Sequence, residues 1–469
     1  MPTDCEFKKF EVKQINMGDG GASVRDIILS GCGSDFDPEW ASLPLLVVFL
    51  VLDKLMEPID HVRFAAVCKE WSCLAKDYNR STQRWSPMLM IPTQLAKSNQ
   101  TLVYSDCEGK IYKNIQGIEL PEPMPKTEIA HIYNRIYNRH CCSPGYGWLA
   151  IVDHYQGGNR HHQVIITLSN PFSSSKAVPP SHISLPPLES KDILFALSSG
   201  REVETRAKVM LSADPALNPD SYAVIAFFPG DYHIFYTGAR FTEEGRSIWR
   251  NHRNASFQFY DAIFYKGLVY AADHVRGSIH SFDLNLMEEI FDYSRTCFPA
   301  QPYYDMFKHH PFCPPYVVKS TKGDLLHVVR FCELKKEDGS SSSSSSSSSS
   351  HGEYITTHFM VFKVPPFNDE ECESYEIDEY VELESLGDEA LFVGDNYSVS
   401  VLASKFGGCQ PNCIYFTDDS INFRQNAYIA CDMGIFNLED GTIAQHCPPS
   451  WEKGMPTPFW IMPPFSGLY

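Results

Sequence analysis

Residues 261–283 read DAIFYKGLVYAADHVRGSIHSFD. Three short apolar runs, Asp261–Tyr265, Leu268–Ala272 and Ser278–Phe282, are separated by Lys266-Gly267 and Arg276-Gly277. Each run has the length of a strand and carries aromatic or β-branched residues, and a glycine in each gap supplies the positive φ that tight hairpins need. The stretch predicts three consecutive antiparallel strands with no helix between them.

The same pattern extends in both directions from about Ser86. TLVYSDCEGKIYKNI reads as a hairpin around Glu108-Gly109. Gly147–Asp153 and Gln163–Leu168 pair across the polar loop HYQGGNRHH, and Asn170-Pro171 ends the second run. Lys208–Leu211, Tyr222–Phe228 and Tyr232–Tyr236 follow, with Pro229-Gly230 as a turn. Tyr316–Lys319, Leu325–Phe331 and His358–Val364 continue the series. Its last group is Leu391–Val393, Ser398–Val401, Asn412–Phe416, Ala427–Asp432 and Gly434–Asn437. The units echo one another: Tyr265–Tyr270 followed by Gly277–Asp283 has counterparts to its second half at His358–Lys363 and Gly434–Leu438. A spacing of about 45–60 residues suits propeller blades, and about 360 residues at that period give six or seven of them. The expected fold is therefore mainly β, a β-propeller domain over 90–469. An unbroken serine tract, Ser340–Ser350, buries nothing apolar and predicts a flexible Ser-rich loop over 337–353.

Ahead of the strands the pattern is helical. Residues 40–78 read WASLPLLVVFLVLDKLMEPIDHVRFAAVCKEWSCLAKDY. Ser42 and Pro44 suit a helix start, and Pro58 ends that helix near Met56. Asp60 is a candidate N-cap for a second helix, in which Phe64, Val67, Cys68 and Trp71 fall at i, i+3, i+4 and i+7 on one face. The stripe runs on through Leu74, Ala75 and Tyr78, as one long helix or two with a bend. A stripe at this spacing is ordinary core, and Trp71 is read so. The first helix differs, being apolar on every side from Leu45 to Leu52. Two short neighbours cannot cover such a helix, so part of it faces a partner. The resulting organisation is a disordered arm over 1–35, a helical domain over 36–85 and the strand-rich remainder.

The composition excludes several classes. The formal net charge of −19, with no dense Lys/Arg cluster, argues against nucleic acid as the main partner. Asp369, Glu370, Glu371, Glu373, Glu376, Asp378, Glu379, Glu382, Glu384, Asp388 and Glu389 concentrate much of that acidity in what reads as a solvated loop with an exposed strand face, the alternative being a surface that attracts a basic substrate. The 15 cysteines show no disulfide framework or paired zinc spacing and read as reduced thiols. The N-terminus lacks the apolar core of a signal peptide, and Leu43–Leu52 is too short to span a bilayer. A soluble chain of the cytoplasm or nucleus, without membrane contact, is expected. No Walker A, HExxH, GxSxG or GxGxxG pattern occurs. His161-His162 and His309-His310 invite a metal reading, but adjacent strand residues point to opposite faces and seldom share an ion. The reading is a non-enzyme with no metal or cofactor. Its alternative is a propeller ligand-binding protein or enzyme built from loop residues such as Asp153, His161 and His162.

Together these residues resemble a known family. Trp40-Ala-Ser-Leu-Pro44, Asp60-His-Val-Arg-Phe64 and Val67-Cys-Lys-Glu-Trp71 look like an F-box. Cys142–Trp148, Val209–Pro215, Tyr265–Gly267 with Phe282-Asp283, Ser385–Phe392, Asn412–Asp419 and Asp432–Gly441, in that order, resemble plant F-box proteins with a KIB-type β-propeller. The resemblance implies a three-helix F-box before a six- or seven-bladed propeller. It implies the substrate-recognition subunit of an SCF-type ubiquitin ligase, bound to a Skp adaptor and through it to cullin, with a protein substrate on the propeller. By the same resemblance Leu43, Pro44, Val47, Val48 and Leu55 face the adaptor, with Cys68 and Lys69 near the contact. Phe64, Val67 and Trp71 hold the helices together. One departure stands out: Leu45 and Leu46 occupy positions that are usually acidic or polar in the family.

Overall fold

The computed structural model describes residues 43–55, 58–81, 87–92, 101–105, 110–112, 133–157, 162–171, 182–189, 207–243, 246–253, 257–273, 277–285, 295–297, 314–334, 354–364, 380–395, 397–406, 408–417, 432–445 and 458–462. The expected N-terminal arm, Trp40 and the helix start at Ser42, the serine tract, His309-His310 and all but the last residue of the run Ala427–Asp432 lie outside them.

Among the described residues three helices come first: α1 (Leu45–Lys54), α2 (Pro58–Ala65) and α3 (Lys69–Ser81). Two boundary expectations are corrected. Pro44 precedes α1 as its cap, and its carbonyl accepts from Val47 and Val48 at 2.8 and 3.1 Å. Pro58 is the first residue of α2, where its missing N–H costs nothing, so Asp60 lies inside the helix instead of capping it. The chain leaves helical geometry at Ala66–Cys68, which splits the stripe between two helices.

Among the described residues from Met88 onward the regular structure is strand apart from one 3₁₀ turn at Ala403–Lys405, and it forms six sheets of four or five strands and one two-stranded ribbon. The fourth sheet contains the stretch that opens the sequence reading. Phe259–Tyr265, Leu268–Asp273, Ile279–Phe282 and Arg295–Cys297 pair antiparallel in that order. Tyr265 faces Leu268 across Lys266 (φ 48°) and Gly267 (φ 86°), a two-residue turn whose positive dihedrals match strand twist. The second sheet repeats the device, with Gly145 facing Trp148 across Tyr146 (φ 55°) and Gly147 (φ 75°).

The third sheet joins Lys208–Leu211, Ala223–Phe227, His233–Gly238 and Arg250–Arg253, and the fifth Pro315–Lys319, Leu325–Leu334, Tyr354–Val364 and Val381–Glu382. The sixth departs from a simple meander: Glu389–Val393 lies between Val399–Leu402 and Cys413–Phe416 and pairs parallel with the latter. The first sheet is closed by the far end of the chain. Phe459–Ile461 pairs antiparallel with Met88–Pro92, a strand that the sequence reading did not include.

These strands are apolar without strict alternation because both faces are covered. Lys208–Leu211 shows how: Val209 and Leu211 pack in the cluster shared with Trp148, Val152 and Ile166 of the second sheet. Met210, pointing the other way, joins Phe259, Val269 and Phe282 of the fourth. Ile263 and Tyr270 meet Val317 and Val329, while Tyr316 and Val318 meet Leu391 and Ile414. Phe392 and Tyr415 meet Leu89 and Trp460, so the sixth sheet packs on the first. From the second sheet round to the first, each sheet is thus glued to the next by a core of its own.

The edge strands Tyr133–Gly145, Lys208–Leu211, Phe259–Tyr265, Pro315–Lys319, Val399–Leu402 and Phe459–Ile461 approach one another in succession and form the inner ring. A buried ion pair ties them together. Lys208 Nζ lies 3.3 Å from Asp261 Oδ1 and donates to the Gly394 carbonyl at 3.0 Å. The other carboxylate oxygen accepts from the Val317 N–H at 2.9 Å and the Ser398 hydroxyl at 3.4 Å. Burial pushes the Asp261 carboxyl up to about 6, against the pull of Lys208. Four sheets or their loops therefore meet at one charge pair, which fixes their relative placement.

Candidate docking site

The helical unit has its own small core. Val48 and Leu52, one turn apart on α1, pack with Phe64, Ala65, Ala75 and Tyr78. Phe64 stacks on Trp71 with centroids 4.2 Å apart, and Phe49 tilts against Tyr78 at 4.9 Å. A ring nitrogen of His61 lies 2.8 Å from the Leu55 carbonyl, which ties α2 to the end of α1. The Cys68 thiol accepts from the Trp71 N–H at 3.5 Å and so caps α3 at its start.

That core uses one side of α1. Leu46 is 71% exposed, Leu45 51%, Leu50 42% and Val51 38%, whereas Val48 and Leu52 are fully buried. Leu46 and Leu50 are four residues apart and so share a stripe, with Val47 and Val51 alongside on the helix wheel. No described side chain of this chain covers that stripe. Exposed apolar surface on this scale, concentrated on one helix, has the composition of an interface.

The structure redistributes the residues expected here. Pro44 and Lys69 are exposed, and Leu43, Val47, Leu55 and Cys68 are half-buried. Val48 moves from the partner face to the core, because its position on α1 aims it at Phe64 and Tyr78. Val67 moves the opposite way: it is 61% exposed, because the chain has already left α2 and α3 has not begun. Phe64 and Trp71 lie together in the core. The sequence reading singles out Leu46 but not Leu50 or Val51 as exposed apolar residues; once Val48 and Leu52 are taken as the buried pair, four-residue spacing from Leu46 points to Leu50.

The loop constellation considered for a ligand or metal does not assemble among the described residues. Asp153 is buried, and its carboxylate takes the Arg139 guanidinium in a bidentate pair with one arm at 2.7 Å. His162 lies in the strand His162–Ser169, and His161 is outside the described residues. Among the described residues no group of three or more His, Cys, Asp or Glu side chains could hold a metal ion. No described helix is long and apolar enough to cross a membrane.

A ring of packed sheets behind a small helical unit with an uncovered apolar stripe defines a β-propeller protein with a docking module. The chain belongs to the KIB1-4 β-propeller family, whose model matches residues 110–437. It is similar to the Arabidopsis thaliana F-box protein At2g17690, with 22% identity over 454 residues, covering 86% of this chain and 95% of that protein. It is also similar to F-box protein At4g35733 of the same plant, with 29% identity over 198 residues, covering 42% of this chain and 44% of the relative. F-box protein At2g26160, again from Arabidopsis thaliana, is 30% identical over 183 residues, covering 38% of this chain and 44% of the relative.

Proposed function

We propose that this protein is the substrate-recognition subunit of an SCF-type ubiquitin ligase. The helical unit docks a Skp-type adaptor, which joins the chain to cullin, and the propeller holds a protein substrate for ubiquitin transfer. The chain itself is a non-catalytic adaptor, acting in the cytoplasm, the nucleus or both. The observation that carries this reading is the stripe through Leu46 and Leu50, exposed on a helix whose opposite side is wholly committed to the core. The F-box relatives give that stripe its partner class. Leu45 and Leu46, the departure from the usual polar residues, add apolar area at the contact; burial there contributes about 25 cal/mol per Å² where shapes match.

Co-capture of a purified Skp adaptor by the full chain, beside a chain lacking residues 36–80, tests the reading. The adaptor is retained by the full chain and lost with the helical segment. Equal recovery by both would sink it.

A further inference from the structure

A cavity of about 520 Å³ opens at one end of the inner ring. The inner strands Tyr133–Gly145, Pro315–Lys319, Val399–Leu402 and Phe459–Ile461 all contribute to its wall, with the turns that follow the first two. Below it the Ser398 hydroxyl reaches Asp261, so the Lys208–Asp261 pair lies beneath its floor. The volume falls in the range of sites that enclose a small ligand or a few peptide side chains.

The charge of this cavity opposes that of the whole molecule. The chain carries a net −19, yet among the described residues the charged side chains lining the cavity are two lysines, Lys319 and Lys405. Both are exposed, and neither is ion-paired among the described residues. The nearby carboxylate is already engaged: buried Glu389 accepts from the hydroxyls of Thr321 and Ser400, the latter at 3.0 Å. Thr321 and Ser400 line the cavity themselves. The hydroxyls of Thr321 and Ser400 are spent on Glu389 and that of Ser398 on Asp261, so the two ammonium groups are the charge-assisted donors the cavity offers an anion.

The rim adds a fixed aromatic surface. Tyr146 is 43% exposed, yet it holds a left-handed backbone (φ 55°) between two positive-φ glycines, and its hydroxyl donates to the Ser212 carbonyl at 3.0 Å. That conformation belongs to the two-residue hairpin turn, which fixes where the ring stands. Anchored at both ends, the ring is a ready platform for a neighbouring side chain.

We propose that this axial cavity binds an anionic group, carboxylate or phosphate, on an extended peptide segment of the protein substrate. Lys319 and Lys405 receive the charge, and Tyr146 packs against the flanking residue. The proposal rests on the substrate-receptor reading above and names the class of segment that reading leaves open.

The test uses the purified full chain and three fluorescein-labelled octapeptides of glycine and alanine. They differ in two central residues: glutamates, phosphoserines or lysines. Fluorescence anisotropy should show saturable binding of one or both anionic peptides, weakening as salt rises, and none of the lysine peptide. Comparing the glutamate and phosphoserine peptides separates carboxylate from phosphate. Lys319→Glu with Lys405→Glu should weaken anionic binding by about tenfold or more, the scale of two lost charge-assisted bonds. The same variant should begin to bind the lysine peptide and keep its thermal midpoint. Failure of both anionic peptides to bind, equal binding of all three, or undiminished anionic binding by the double variant would overturn the proposal. Adaptor capture is scored on the same preparations. A chain that binds the anionic peptides but captures no adaptor keeps the cavity and loses the ligase reading, and the reverse result loses the cavity alone.

Discussion

Arg330 Nη2 lies 2.8 Å from Asp432 Oδ2, and the arginine side chain is wholly buried. Arg330 stands on the fifth sheet, and Asp432 precedes a strand of the sixth. The guanidinium also reaches the Thr356 hydroxyl at 2.7 Å, the Thr417 carbonyl at 2.9 Å and the Tyr316 hydroxyl at 3.3 Å, and lies 4.8 Å from the Phe416 ring centre. Asp432 in turn accepts from the Thr356 N–H and hydroxyl. One planar cation thus bolts two sheets together.

Breaking that bolt from one side leaves a buried charge without its partner. Arg330→Ala should destabilise by about 3–5 kcal/mol, read from urea unfolding. Arg330→Lys should recover only part of the loss, since a lysine lacks the fork that serves several acceptors at once.

His327 makes stability depend on pH. It is fully buried against Phe362 and Tyr380, and neither ring nitrogen has a hydrogen-bond partner. Burial pushes its pKa down to about 3, so the folded state keeps the ring neutral while the unfolded chain protonates it near 6.5. The proton is bound preferentially by the unfolded state between those values. Stability is therefore full above about pH 6.5 and falls as pH drops toward 3, with a limiting slope of about 1.4 kcal/mol per pH unit. His327→Leu removes this term. Unfolding at pH 7 and pH 5 should show the variant gaining on the parent by about 2 kcal/mol at the lower pH.

Two glycines separate backbone strain from collision. A Cβ at Gly267 meets nothing within 4 Å, so Gly267→Ala incurs only the cost of its positive φ, about 1–2 kcal/mol. A Cβ at Gly238 would lie 2.6 Å from the Tyr222 carbonyl oxygen, and φ there is 135°. Gly238→Ala should lower the thermal midpoint distinctly further than Gly267→Ala.

The strands were legible wherever a sheet is buried on both faces. Lys208–Leu211, Tyr222–Phe228 and Leu325–Phe331 are apolar runs that no solvent-facing pattern would give, and Lys266-Gly267 marks its turn by chemistry alone. Order in space was less visible. Nothing local tells Glu389–Val393 to pair parallel with Cys413–Phe416, and Phe459–Ile461 is three residues among prolines, recognisable only by its partner Met88–Pro92. In the helices the stripe was read through Ala66–Cys68 as though helical geometry continued, and that error put Val67 inside. The outward placement of Val48 comes from the family resemblance, and the sequence offers no check on it, because α1 is apolar all round and does not say which side faces Phe64. The cavity was invisible, because Tyr146, Lys319, Lys405 and Trp460 come together only when the ring closes.

The most direct test of the docking reading places charge on the exposed stripe. Leu46→Asp with Leu50→Asp should abolish adaptor capture while leaving the thermal midpoint within about 1 °C of the parent, since surface changes usually shift stability by under 0.5 kcal/mol. Val48→Asp, in the core, should instead unfold the helical unit. Adaptor capture by the Leu46→Asp, Leu50→Asp chain at the parental level would contradict the account.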